Sequence, residues 1–209
     1  MILNYPTNSR NISLEFGYDA TYDSELSGFY KLFDNKHPGV DFDLAEGTNV
    51  NSSFEGFVVR NEFHQGMGNT LGIRNGNILA LYAHLSEINV SMGAIVKKEE
   101  LIAKSGNTGS ASTSPHLHFE LRDLRFKILR EMVFKPEFLV EIRNFQEEFT
   151  YKINNTNTPK NLNLISKMYF GSENFAENIK IKNNLNIKND AILPQDFDLL
   201  IPNFTVKTS

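Results

Sequence analysis

Ser114-Pro115-His116-Leu117-His118-Phe119-Glu120 is the stretch whose reading decides the fold. Two histidines two residues apart in an apolar run describe a strand that presents both imidazoles on one face. The chain has only five histidines, so two on one strand face mark a site rather than chance. Upstream, His37-Pro38-Gly39-Val40-Asp41 sets a histidine and an aspartate four positions apart around a turn. Together the two segments offer nitrogen and oxygen donors suited to zinc.

Working outward, residues 15–123 are short apolar runs punctuated by Gly and Asn. Gly56–Val59, Thr70–Ile73, Ile78–Tyr82 and Leu101–Ala103 read as strands, and Asn75-Gly76 between two of them is a hairpin signal. No amphipathic helix interrupts them. The expected fold is mainly antiparallel β, a sandwich or partly open barrel. Residues 124–149 are rich in charge and Phe, and the reading there is a closing segment, helical after Pro136. From Thr150 the chain turns to Asn, Lys and Ile. Leu162, Leu164, Ile165, Met168 and Tyr169 form a helical stripe, a second short helix is expected from Phe175 to Ile181, and Leu199-Leu200-Ile201 ends as a strand. That order, βααβ, makes a small α+β module.

Composition narrows the function. The chain has 209 residues, net charge −4 and no cysteine, so a metal would be held by His and carboxylates alone. Residues 1–149 carry 14 Lys and Arg against 20 Asp and Glu, and residues 150–209 carry 7 against 5. Neither part has the basic excess of a nucleic-acid binder. No apolar run approaches the roughly 18 residues of a membrane span, and the first residues hold no apolar signal-peptide core.

A catalytic zinc takes three protein ligands and leaves a position for water. His37, Asp41 and one histidine of the 116/118 pair would complete such a set, with the other beside it to move protons or stabilise an oxyanion. His84, in Tyr82-Ala83-His84-Leu85, is a further candidate, although a strand-end histidine is commonly a packed residue. His64 reads as an exposed loop residue.

From Phe16 to Leu139 the chain resembles the LytM/lysostaphin-like zinc metallopeptidases, which cleave the peptide part of bacterial peptidoglycan. His37 and Asp41 match the family's His-x-x-x-Asp, Tyr82-Ala83-His84-Leu85 its Tyr-x-His-Leu, and His116-Leu117-His118 its His-x-His. Phe16-Gly17, Gly68-Asn69, Gly106-Asn107-Thr108-Gly109 and Pro136-Glu137-Phe138-Leu139 follow in family order. Ala94, Glu99-Glu100 and Ala103 depart from it at scaffold positions. The resemblance implies one zinc per chain held by His37, Asp41 and His118, with His84 and His116 as catalytic histidines that assist attack of a zinc-activated water on a peptide carbonyl. Family members often add a Tyr near the site, for which Tyr30 is a candidate.

Residues 150–203 resemble a divergent LysM module, which binds N-acetylglucosamine glycans. Tyr151-Lys152-Ile153, Leu162, Ile165, Tyr169-Phe170-Gly171, Asn183-Asn184-Leu185 and Leu200-Ile201-Pro202 carry that likeness, while Pro159-Lys160-Asn161-Leu162 departs from its first loop. The resulting expectation is a metallopeptidase domain over 1–140, a linker over 141–149 and a peptidoglycan-binding module over 150–209. Such a protein would act as a monomer at the bacterial cell wall, with peptide at the zinc and glycan at the module. It would be a phage-encoded lysin, a virion-associated wall hydrolase or an exported enzyme whose leader lies outside this sequence. The alternative from another class is a non-catalytic activator or scaffold of wall hydrolases.

Overall fold

A computed structural model describes residues 1–22, 27–154 and 159–203. Its strands are β1 (Ile12–Leu14), β2 (Val40–Asp43), β3 (Asn49–Asn51), β4 (Gly56–His64), β5 (Gly68–Asn75), β6 (Ile78–Leu85), β7 (Glu87–Ile88), β8 (Ile95–Val96), β9 (Leu101–Lys104), β10 (His116–Asp123), β11 (Val133–Phe134), β12 (Phe149–Lys152) and β13 (Asp198–Ile201). The helices are α1 (Ser27–Tyr30), α2 (Leu129–Met132), α3 (Leu162–Phe170) and α4 (Ala176–Lys182).

The main sheet runs β1-β2-β10-β6-β5-β4-β8, with β11 added beside β10, and a smaller sheet runs β3-β9-β7. Every pairing is antiparallel. Val50, Ile102 and Ala103 of the small sheet share one buried cluster with Ile73, Tyr82, Leu117, Phe119 and Leu121 of the large one. The core therefore lies between two sheets, as the alternating pattern requires. The hairpin expected at Asn75-Gly76 closes one residue later: Asn75 pairs with Ile78, and Gly76, at φ 55°, is the first loop residue.

Because side chains alternate, the register fixes what the other face of the large sheet carries. His118, Glu120 and Arg122 of β10 lie opposite Ala83, Leu81 and Leu79 of β6. Leu81 and Leu79 lie opposite Gly72 and Arg74 of β5, which lie opposite Arg60 and Phe57 of β4. One continuous face thus runs from the histidines to Phe57 and Arg74.

The C-terminal unit packs on the far end of that face. It is a βααβ unit, with β12 paired to β13 and α3 capped by the Asn161 side chain. Phe149, Leu162, Ile165, Phe170 and Ile201 form its core, which also takes in Phe57 from β4. The helical stripe is rotated from the expected one: Leu162, Ile165 and Tyr169 are buried, Phe170 joins them, and Leu164 and Met168 point outward. Arg74 is fully buried beneath the unit, donating to the Tyr169 carbonyl at 3.0 Å with the Phe170 ring 4.6 Å from its guanidinium carbon. Burial pushes this guanidinium down to about 9, which leaves it charged at neutral pH. Gly171, at φ 71°, ends α3 where an added Cβ would meet the Val58 carbonyl at 2.1 Å.

The helix expected after Pro136 does not form: none lies between Pro136 and β12. Residues 135–148 run extended and turned, with backbone groups paired to the β5–β6 hairpin loop: the Asn144 carbonyl accepts from Asn77 Nδ2, and Gln146 N donates to Asn77 Oδ1. These long-range partners satisfy the backbone that a helix would otherwise have satisfied itself. Among the described residues no helix is long and apolar enough to cross a membrane.

Candidate metal centre

His37 leads into β2, and its backbone is tied to the early Phe-Gly turn, donating to the Tyr18 carbonyl while Gly17 N donates back at 2.9 Å. Gly39 lets β2 approach β10: a Cβ there would sit 2.4 Å from the Phe119 carbonyl and 3.0 Å from the His118 ring. Asp41 lies directly opposite His118 in the β2–β10 register.

The three side chains converge. His118 Nδ1 is 2.7 Å from Asp41 Oδ1 and 3.1 Å from His37 Nε2, and the latter is 3.2 Å from Asp41 Oδ1. All three residues are buried, and their donor atoms lie within 4.8 Å of one another. The outer ring nitrogens fix which inner atoms carry lone pairs. His37 Nδ1 donates to the Glu15 carbonyl at 3.0 Å, which can only accept, so Nε2 is bare. His118 Nε2 lies 2.9 Å from Glu120 Oε1. Burial pushes the Glu120 carboxyl up, but Arg122 and His118 outweigh it and hold it at about 2, an ionised acceptor. Two imidazole nitrogens and a carboxylate oxygen thus face one point, a donor set that fits Zn2+ with its outer nitrogens held as metal sites require. Without the ion, burial opposes charge on His118, but the Asp41 carboxylate outweighs it and raises His118 to about 10. Burial also opposes the Asp41 charge, yet His118 and His37 hold that carboxyl well below the usual range.

His84 and His116 flank this cluster, their rings 4.6 Å apart. His84 sits in a bulge: Ala83 and His84 together face Thr70, and His84 has φ 61°. A left-handed histidine is a costly backbone state, and here it coincides with the bulge that sets the His84 ring beside the cluster. His84 Nδ1 donates to the Thr108 carbonyl at 2.7 Å, and His116 Nδ1 to the Ser114 carbonyl at 2.8 Å. In a neutral imidazole so held Nε2 is the bare nitrogen, and that of His116 lies 3.9 Å from Asp41 Oδ2. Burial, then the positive field of His118, push His84 down to about 4, so it is neutral at neutral pH. The Gly106–Gly109 turn serves both histidines, since Gly106 also accepts from the His116 backbone N–H.

Asp41, His84, His116 and His118 line a cavity of about 510 Å³, with His37 buried behind them. Tyr30 lines it too, its ring 5.3 Å from that of His37, and so does His64, an exposed residue at the end of β4. The structure thus brings His37, Asp41, His84, His116 and His118 into one site. Sequence reading missed Glu120 and the carbonyls of Glu15, Thr108 and Ser114. For Glu120 a signal existed: the period of two from His116 and His118 continues through it to Arg122.

Residues 35–128 match the model of peptidase family M23. The peptidoglycan DD-endopeptidase ShyA of Vibrio cholerae is 44% identical over 86 residues, 41% of this chain and 20% of that protein. A zinc-containing peptidase from Vibrio cholerae is 30% identical with TM-score 0.52, covering 65% of this chain and 39% of that one. The solved structure of LytU is 31% identical with TM-score 0.51, covering 62% of this chain and 83% of that one. The chain spans about a fifth of the length of the first of these relatives.

Proposed function

We propose that this chain, which belongs to peptidase family M23, is a zinc-dependent peptidoglycan endopeptidase acting at the bacterial cell wall on stem peptides or their cross-bridges. The observation that carries the reading is the convergence of His37 Nε2, His118 Nδ1 and Asp41 Oδ1 on one point, with the Nε2 atoms of His84 and His116 alongside. A zinc ion held by His37, Asp41 and His118 would polarise the scissile carbonyl and bring a water's pKa toward ~7.

The remaining chemistry falls to His84 and His116. Held through Nδ1, each presents Nε2 to the cavity. There one accepts the proton of the attacking water on Nε2, and the other, once protonated on Nε2 while Nδ1 still donates to its carbonyl, donates from Nε2 to the developing oxyanion. The neutral state of His84 suits it to the first role. Tyr30 borders the same space and is placed to add a hydroxyl donor. ShyA and the zinc-containing peptidase support the substrate class and the metal.

The unit over 150–203 is assigned as a LysM-like wall-binding module on its βααβ order and the motif likeness. Metal-loaded protein is expected to release new muropeptides from purified sacculi, with loss on chelation and recovery on adding zinc. A protein that binds zinc stoichiometrically yet releases nothing from any wall type would instead be a scaffold.

A further inference from the structure

The proposed chemistry uses four of the five histidines and leaves out His64, whose side chain lines the same cavity. His64 ends β4, in register with Gly68 of β5. Its ring is held in the opposite sense to those of His84 and His116. Those two give Nδ1 to the carbonyls of Thr108 and Ser114. His64 Nδ1 instead accepts from two backbone N–H groups, those of Gly66 and Met67, each at 3.2 Å. A backbone N–H only donates, so Nδ1 is the bare nitrogen and the ring hydrogen sits on Nε2. Among the described residues no group meets that Nε2–H.

The turn that fixes this ring is tied into the site. The Met67 carbonyl accepts from the His84 backbone N–H at 2.8 Å, and the Gln65 and Gly66 carbonyls accept from Ser110 N and Ala111 N at 2.9 and 3.0 Å. Phe29 of α1 stands on the other side of Gly66, where an added Cβ would lie 3.6 Å from the His64 ring and 3.8 Å from that of Phe29. Phe29 also lines the cavity, an apolar wall beside the donor. Capping the turn occupies only Nδ1 and leaves the Nε2–H for another partner. Strand spacing gives its place: β4 lies two strands from β6, so His64 stands about 10 Å across the sheet from His84, roughly three residues of extended peptide.

We infer that His64 is a substrate-binding residue, whose Nε2–H donates to a main-chain carbonyl of the peptide about three residues from the bond at the metal. The inference rests on the proposed activity for its ligand, while the tautomer and the turn stand independently. A donor already fixed by a rigid turn loses little freedom on binding, so its hydrogen bond favours peptides long enough to reach it. Peptides that span only the metal and the two flanking histidines gain nothing from it.

The test is fluorescence anisotropy on the zinc-loaded, full-length chain carrying His116→Ala to suppress turnover. The probes are a labelled cross-linked stem-peptide dimer and the same cross-link cut to two residues on each side. Two added substitutions separate the turn from the donor. His64→Asn keeps an acceptor for the Gly66 and Met67 N–H groups but stops short of the Nε2 position, whereas His64→Gln sets an N–H at that position and gives up the acceptor. The dimer is expected to bind about three- to tenfold more weakly to His64→Asn, the size of one neutral hydrogen bond, and within about twofold of the parent to His64→Gln. The short probe is expected to bind all three chains alike. The reverse order of the two variants would show a turn cap alone and overturn the inference. Equal binding of the dimer to all three chains, loss in both variants, or equal losses for the two probes would overturn it too. So would long-range 1H–15N spectra that place the His64 ring hydrogen on Nδ1. If the dimer discriminates as expected while wild-type protein cleaves no wall peptide, the proposed activity fails and the binding role of His64 does not.

Discussion

His37 Nε2 and His118 Nδ1 face each other at 3.1 Å while their outer nitrogens donate to the Glu15 carbonyl and the Glu120 carboxylate. Two lone pairs at that distance repel unless a cation or a proton lies between them and the nearby Asp41 oxygen. On the proposed assignment these two are ligands and His116 is not. His118→Ala and His37→Ala are each expected to lose zinc, whereas His116→Ala keeps it and loses most turnover, about 10²-fold or more. Inductively coupled plasma mass spectrometry of the three purified variants checks this, and zinc kept in His118→Ala but lost in His116→Ala would reverse the assignment.

Zinc binding should release a proton. In the metal-free protein burial opposes charge on His118, but Asp41 holds it up to about 10, so at neutral pH its Nδ1 carries the proton that the metal must displace. A raised folded value means the proton is bound below about pH 10 and lost above it. Apparent zinc affinity should therefore rise about tenfold per pH unit on approaching that value. Calorimetric titration in buffers of different ionisation enthalpy is expected to show about one proton released per zinc near neutral pH. No buffer dependence would contradict the protonated cluster.

Glu120→Gln removes the charge that orients His118 and leaves Arg122 without its partner at 2.6 Å. Substitutions behind a metal ligand typically cost about 10–100-fold in metal affinity. A competition titration against a zinc chelator should show a loss in that range with the fold retained by circular dichroism.

Gly39→Ala drives a Cβ to within 2.4 Å of the Phe119 carbonyl, backbone that cannot rotate away. The β2–β10 pairing must open, separating Asp41 from His118. A destabilisation of about 1–3 kcal/mol is expected, read by urea unfolding, together with weaker zinc binding.

Removing residues 150–209 should damage the catalytic domain as well as wall binding. It uncovers Phe57, now about 1% exposed, and the buried Arg74. Exposing one large side chain forfeits about 1.5–3 kcal/mol, and several are uncovered at once. A fall in Tm of about 10 °C or more is expected by calorimetry. An unchanged transition would show the C-terminal unit to be independent.

Spacing brought the candidate donors forward, since His116 and His118 share a face through a period of two and His37 and Asp41 span one turn, but which histidine of the pair joins His37 and Asp41 came from the family resemblance. Glu120 was harder to read, because a carboxylate on a strand ordinarily marks a solvated face, and its partners His118 and Arg122 become visible only once that face is known to be covered. The burial of Arg74 carries no local signal either, since the rings that close over it, Phe149, Tyr169 and Phe170, belong to the distant C-terminal unit. The stripe of α3 slipped in phase because Leu164 and Phe170 are equally apolar, and only packing against Phe57 chooses between them. The absence of the helix expected after Pro136 reflects a tertiary partner, Asn77, that lies far away in sequence.

The most direct measurement is mass spectrometry of the soluble products released from purified sacculi by zinc-loaded protein. New amino and carboxyl termini at one defined peptide bond are expected with the wild-type chain, and none with zinc-loaded His116→Ala. Sacculi of every cross-link type left intact by wild-type protein that holds one zinc per chain would contradict the assignment of this site as a peptidoglycan endopeptidase.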